Sequence, residues 1–336
     1  MNVNKKRIAF SGLICCDALF TVEGYPQEDA GIPCDNFRWN LGGNASNNSV
    51  VFSKLRNWHL KKCKNGNSKD EEIEIELLGT LGNDFPANFL REIFDRENIR
   101  HDRMFFDPSV KTPVTAVILN ELNGSRSYFH YTDHYPDLSL EKYVKYDLVN
   151  YDWIHVESRN NIKGIIDMVR YVRSKQTAGS SNHGPCKPVI SVELETDHDG
   201  LSQVFDEKID YYFVERDFGH LKGWKDLEET IQETCKLVKN EAYVIFVWGD
   251  EGSRIAKVSN GKIIGPIGST PIFNPKSKVV DTCGAGDTFL AATVFDILIR
   301  GSKPEDAIVF GSKIAGAKVA MQGYHDLENW ESYINH

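Results

Sequence analysis

The chain contains no G-x-x-x-x-G-K-[ST] phosphate loop, no CxxC pair and no apolar run near the roughly 20 residues that a membrane span needs. Each absence closes a class. Odd in number and without a CxxC pair, the seven cysteines (Cys15, Cys16, Cys34, Cys63, Cys186, Cys235, Cys283) suggest neither a disulfide framework nor a zinc site. They fit a reducing, cytoplasmic compartment. Basic excess is missing too. A net charge of -9 leaves no footprint for nucleic acid or an anionic membrane, so any phosphate group must be held by locally positive structure. A leader-like pattern, KKR ahead of an apolar run in residues 5–20, is interrupted by Asp17 and has no clean small-residue cleavage site. It reads as the first buried strand instead. Asn44, Asn47 and Asn123 match the glycosylation pattern, a coincidence in a cytoplasmic chain.

What is present is an ordinary globular composition. With 336 residues, 41% hydrophobic and 26% charged, the chain is long enough for one large α/β domain and an appendage. Short β-rich apolar runs at 7–14, 73–79, 153–157, 188–193, 211–214 and 243–248 alternate with amphipathic stretches at 45–56, 86–97, 162–174, 226–239, 287–300 and 304–321. That rhythm predicts βαβ units and a mainly parallel central sheet flanked by helices. Two segments break it. Residues 105–131 read as a β-hairpin, with TAVILN and SYFHY flanking ELNGSR and its Asn123-Gly124 turn. Residues 17–39 are strand-like and turn-rich. Projecting together, they predict a small β lid (17–39 and 104–131) on an α/β domain (1–16, 40–103 and 132–336). The polar stretches at 61–72 and 176–187 read as surface loops.

The strongest chemical signal is VVDTCGAGDTFLAATVFDIL, residues 279–298, an apolar lead-in, a Gly-rich turn and then a helix. Small residues at Gly284, Ala285 and Gly286 let a ligand approach the backbone, and their N–H groups would emerge at a positive helix N-terminus. Such an anion hole suits phosphoryl transfer, in which negative charge develops on the moving group. Asp287 falls in the first helical turn, where the dipole is expected to keep it ionised. There it can orient a hydroxyl and take its proton. Thr282 could cap the helix or touch phosphate. A Gly turn with an acidic first-turn residue is also favoured for helix stability alone. A dinucleotide fold is disfavoured, because the turn lies late in the chain and lacks the third Gly of G-x-G-x-x-G.

A second Gly-rich turn precedes a helix in LGGNASNNSVVFSKLR, residues 41–56, and Asp17 is expected to end the first strand. Both would reach the carboxyl edge of the sheet, where α/β proteins bind ligands. Asp17, Asn44 and Asn47 together resemble a clamp for hydroxyl groups, which need partners that donate and accept. Taken singly, each Asn is also a common helix cap.

At these residues a family resemblance becomes visible. DTCGAGDTF, GGNASN and GTLGNDF (residues 79–85) resemble the ribokinase-type (PfkB) sugar kinases. GLICCD, YPQED, RWNLGGNASN, IHVESRN, VWGDEG and MQGYHDL resemble the ketohexokinase branch, and the likeness covers residues 7–326. It implies ATP with Mg²⁺, a ketohexose such as fructose phosphorylated on its 1-hydroxyl, and a β lid that clasps a second copy in a homodimer. By motif, Asp17, Gly43, Asn44 and Asn47 would hold the sugar and Asp287 would activate it. Gly284, Ala285 and Gly286 would line the anion hole. Arg126 would reach from the lid to the phosphates, and Gly249, Asp250, Glu251 and Gly252 would line the nucleotide with Thr282. Ser312 and Ala315 are candidates for the adenine pocket. Alone, an Arg beside a hairpin turn is more often a solvated charge.

The chain departs from many relatives where an N-x-x-E segment is replaced by ERDF after residue 214, so no protein metal ligand is assigned and Mg²⁺ is expected on ATP oxygens and water. Cys283, at the variable position of its motif, is expected to be a packing residue. The polar loops at 61–72 and 176–187 look like insertions. Rival readings are a kinase of the same architecture for ribose, adenosine or another sugar, and a catalytically silent sugar- or nucleotide-binding regulator.

Overall fold

The computed structural model describes residues 4–64, 71–122, 125–132, 135–159, 161–179, 188–196 and 198–334. The Asn123-Gly124 turn, Cys186 and most of the two polar loops lie outside the described residues. Strands β1 (Asn4–Ser11), β2 (Cys15–Val22), β3 (Asn36–Gly42), β4 (Glu71–Leu78), β5 (Thr80–Leu81), β6 (Phe105–Phe106), β7 (Val114–Asn120) and β8 (Arg126–Tyr131) fill the first part of the chain. Strands β9 (Trp153–Glu157), β10 (Val189–Leu194), β11 (Tyr211–Glu215), β12 (Ala242–Val247), β13 (Ser253–Ser259), β14 (Lys262–Ile263) and β15 (Gly268–Thr270) follow. Between them come helices α1 (Asn44–Lys64), α2 (Phe85–Arg96), α3 (Leu140–Tyr143), α4 (Ile162–Gly179), α5 (Arg216–Leu221), α6 (Leu227–Leu237), α7 (Ala285–Leu298) and α8 (Pro304–Lys318).

The main sheet runs β14-β13-β12-β11-β10-β9-β1-β4, with β15 also paired to β13. The strands from β4 to β12 are parallel, as the βαβ rhythm requires. The antiparallel edge of β13 to β15 was not legible, because its strands follow a tight 3-10 turn with no helical spacer. Successive strand residues serve opposite faces. Ile8 and Phe10 enter one core with α1, α7 and α8, whereas Ala9, Ile154 and Val156 enter the other with α4 and α6. Helix α7 is buried nearly all round, as an apolar helix between two neighbours must be.

Four strands, β3-β2-β7-β8, make a separate sheet. Both strand-like segments contribute, as expected, with two corrections. Phe105 and Phe106 pair with β5 in a two-stranded sheet rather than with the hairpin. The first strand stops at Ser11, not at residue 14, and Asp17 is the third residue of β2 in the smaller sheet. The unbroken apolar stretch through Ile14 hides that break, which falls at Gly12. No helix among the described residues is long and apolar enough to cross a membrane.

Candidate active site

Strand β1 lies between β4 and β9, so the chain leaves it in one direction and later returns on the other side. Parallel sheets open a crevice at such a point. Here the loop after β1 is pinned by Leu13 N–H donating to Glu157 Oε2 at 2.6 Å, and a Cβ on Gly12 would sit 2.4 Å from the same oxygen. Gly43, at φ +84°, lets the start of α1 slide beneath this loop, where any side chain would meet the Leu13 carbonyl at 2.4 Å. Gly42 is equally tight, since a Cβ there would lie 2.0 Å from Asp17 Oδ1.

Asn44 and Asn47 follow at the first turn of α1. Asn44 Nδ2 donates to Glu195 Oε2 at 3.1 Å, and Asn47 Nδ2 donates to Asp287 Oδ2 at 2.9 Å. The second bond joins the two Gly-rich turns, which lie 240 residues apart in sequence. Asn47 Oδ1 is buried with no hydrogen-bond partner among the described residues, an acceptor held ready for a donor. Asp17 shares its face with Thr115 and His130, which bond to each other at 3.0 Å. Burial pushes the Asp17 carboxyl up to about 7, against the opposing bonds from Cys15 and Thr115.

The second turn is built on Asp281. Its Oδ1 accepts from Cys283 N–H at 2.9 Å and its Oδ2 from Gly323 N–H at 3.0 Å. Gly284, at φ +71°, occupies the cap position of α7, and a Cβ there would strike the Tyr324 hydroxyl at 1.9 Å. Thr282 therefore does not cap the helix. Its carbonyl instead closes the turn by accepting from Ala285 N–H at 3.3 Å. Asp287 is in the first helical turn, as expected, and 9% exposed. Its expected ionisation is not met in the ligand-free chain. Burial, with Glu195 and Glu157 nearby, pushes its pKa to about 8 despite the Asn47 bond and the Lys318 charge, since desolvation outweighs one amide donor and a helix end.

Arg126 opens β8 and reaches across, its Nη1 2.9 Å from Cys283 Sγ. Cys283 is thus not the plain packing residue expected, because the lid arginine rests on it. Beyond β12, Gly249 and Gly252 both take positive φ around the exposed Asp250 and Glu251, and Arg216 leans on Gly249 and pairs with Asp250 at 3.5 Å. Ser312 is buried on α8, and Ala315 packs against the apolar core. Among the described residues neither has a side-chain hydrogen bond to the two Gly-rich turns.

Four acidic residues were not among the expected site residues. Glu157 ends β9, Glu193 is next to last in β10, Glu215 ends β11, and Glu195 follows β10. Burial pushes Glu157 to about 7 and Glu215 to about 8, and Glu193 is raised well above its ordinary value by burial and by Asp287, Glu215 and Glu157. The available signal was a carboxylate closing an apolar strand three times over, in WIHVE, VISVEL and YYFVE. Tyr324 and Lys318 were also missed.

The family model for pfkB family carbohydrate kinases matches residues 5–329. Ketohexokinase of Mus musculus is 30% identical over 325 residues, covering 96% of this chain and 99% of that protein. Ribokinase from Giardia lamblia superposes with a TM-score of 0.75 at 15% identity, covering 97% of this chain and 96% of its own. Arabidopsis thaliana ribokinase complexed with ribose and ATP gives 0.70 at 20% identity, covering 96% and 94%. At those identities the solved structures speak for the fold, a ribokinase-like α/β sheet. The sequence match reaches further, spanning both Gly-rich turns and the lid strands, and on it this ATP-dependent sugar kinase belongs to the pfkB carbohydrate kinase family.

Proposed function

We propose that the enzyme phosphorylates the 1-hydroxyl of a ketohexose, D-fructose first among them, with Asp287 as base. The observation that carries this reading is the 2.9 Å bond from Asn47 to Asp287, which puts a polyol-binding amide and a proton acceptor beside one anion-binding turn. Asp17, Gly43, Asn44 and Asn47 hold the sugar in the crevice. Asp287, ionised once the bound ligands supply the partners its burial withholds, receives the hydroxyl proton as the O–P bond forms and the bridging bond of ATP breaks, releasing ADP. The N–H groups of Gly284 and Gly286, joined by that of Ala285 as its long 3.3 Å bond to the Thr282 carbonyl gives way, meet the charge on the transferred group. Gly249, Asp250, Glu251 and Gly252, with Thr282, line the nucleotide, and Ser312 and Ala315 back the adenine. Arg126, already against the turn at Cys283, closes on the phosphates. Arg126→Ala should raise the KM for ATP more than that for sugar, and equal effects would remove it from this role.

Mg²⁺ supplies charge neutralisation to the triphosphate. The donor chemistry fits, because Glu193 and Glu215 are hard oxygen groups crowded beside the turn with few cations near them. They would meet it through water, with ATP oxygens as its direct ligands. The four-stranded sheet serves as lid and dimer clasp. Its outer face presents Phe37, Phe129 and Tyr131, each close to half exposed, opposite the site-facing Arg126, Tyr128 and His130. Light scattering should report a dimer that Phe129→Glu dissociates, and a monomeric wild type would remove the clasp. A reducing cytoplasm accords with an odd number of cysteines and no CxxC pair in the sequence.

The deciding experiment is ADP release measured across fructose, tagatose, ribose, glucose and adenosine. Fructose is expected to give the highest kcat/KM. A preference for ribose or adenosine would move the enzyme to another branch, and no turnover with any would leave a silent binding protein.

A further inference from the structure

Lys318 ends α8 and is 0% exposed, a rare placement for an ammonium group. Its Nζ donates to the backbone carbonyl of Asp281 at 2.8 Å and lies 3.3 Å from Asp281 Oδ2. The same carboxylate accepts from Cys283 N–H and from Gly323 N–H. One cation and one anion thus tie together the end of α8, the entry to the phosphate turn, an N–H of that turn and the segment that follows α8. A second path runs through Tyr324, whose ring lies 5.7 Å from Nζ and whose hydroxyl abuts Gly284. Burial alone would raise Asp281, but Lys318 and the two N–H groups outweigh it and keep it below the usual carboxylate range. A buried pair of this kind adds little stability over apolar packing of the same volume. Its residence at this turn calls for another reason.

We propose that Lys318 is a positioning residue, an internal cation that holds residues 281–284 in the shape that presents N–H groups to the ATP phosphates, without itself touching substrate. The inference rests on the reading of that turn as the phosphate site. Its arrangement accounts for three features at once: a buried ammonium, a carboxylate bonded on both oxygens, and a tyrosine wedged under a glycine with no room for a side chain.

The test compares Lys318→Ala with Lys318→Met by steady-state kinetics and ATP titration calorimetry. Lys318→Ala should raise the ATP KM about tenfold, the worth of a charge-assisted hydrogen bond, while the sugar KM changes far less. Methylammonium or ethylammonium added at millimolar concentration should restore much of that loss in Lys318→Ala, where a cavity remains. It should do nothing for Lys318→Met, where the stem fills the space. Wild-type ATP affinity in Lys318→Met would overturn the proposal, as would equal losses toward ATP and sugar in Lys318→Ala. If Lys318→Ala fails to fold, the ATP affinity of Lys318→Met decides alone: loss supports the brace and retention overturns it. Failure of wild-type protein to bind ATP would instead sink the reading of the turn, and the brace with it.

Discussion

Two groups of buried carboxylates, one on β4 and one around the carboxyl ends of β9 to β11, are treated in opposite ways. On β4, Glu76 is fully enclosed, yet it accepts from Arg103 Nε and Nη2 at 2.7 and 2.6 Å and from the Tyr151 hydroxyl at 2.6 Å. Its neighbour Glu74 is desolvated too, but Lys5, Arg100 and Arg7 more than offset that and hold it at about 2. At the carboxyl ends of β9 to β11 the balance is reversed, and burial pushes Glu157 up even though Arg159 Nη1 lies 3.2 Å from its Oε1. Glu193 has His155 3.6 Å away, and burial drives that imidazole down to about 3, so it offers no charge. Asp287 has a neutral amide, and part-buried Glu215 has one half-exposed arginine beside it. Like charges left short of counterions cost stability. A site that must receive a polyol, a hydroxyl proton and a hydrated cation with its triphosphate gains from that shortage, since its ligands supply the missing partners.

The contrast predicts opposite outcomes for the same conservative change. Asp287→Asn should lower kcat by about 10²-fold or more, the usual contribution of a positioned base, with sugar binding retained. It should also raise the melting temperature of the ligand-free enzyme, because it removes a poorly paired buried acid. Kinetics, sugar titration and thermal denaturation check the three parts, and near wild-type turnover would strip Asp287 of its role. Glu76→Gln should do the reverse. Losing the charge beneath Arg103 and Tyr151 should cost about 2 kcal/mol in denaturant unfolding, while kcat stays within about twofold where the protein is folded. A kcat loss on the scale of Asp287→Asn would erase the distinction between the two groups.

The legible part of this division was the local part. A Gly-rich turn running into a helix is written in consecutive residues, so Gly284 to Asp287 and Gly43 to Asn47 could be read off together, as could the β8 strand that carries Arg126. Even the parallel order followed from alternating strands and helices. What escaped depends on sheet order. Glu157 and Glu193 are 36 residues apart and become register partners only when β9 and β10 pair. The charge of Asp287 was misjudged for the same reason. Its helix terminus is local, whereas the desolvation that wins comes from α1 and the strand ends. Asp17 was placed on the wrong sheet because an apolar stretch does not announce that it changes sheets at a glycine.

The smallest expected effect has the sharpest sign. Asp287 and Glu215 titrate near 8 and Glu157 near 7 in the folded, ligand-free protein, against about 4 for such groups in an unfolded chain. Between those values the native state holds more protons than the unfolded one, so stability falls as pH rises. That contribution is complete below about pH 4 and gone above about pH 8. Glu74 runs the other way, since its folded pKa of about 2 lies below the unfolded value. Its contribution is present above about pH 4.5 and disappears as pH drops toward 2. The two regions therefore act in windows that barely overlap. Glu215→Gln should flatten the decline between pH 5 and 8 by a melting shift of about 2 °C and leave the acid limb alone. Replacing Lys5 with Met should weaken the acid limb and leave the neutral one. If both variants moved the same limb, the carboxylates of β4 and those of the strand ends would be one electrostatic system, and the site would owe nothing to its shortage of cations.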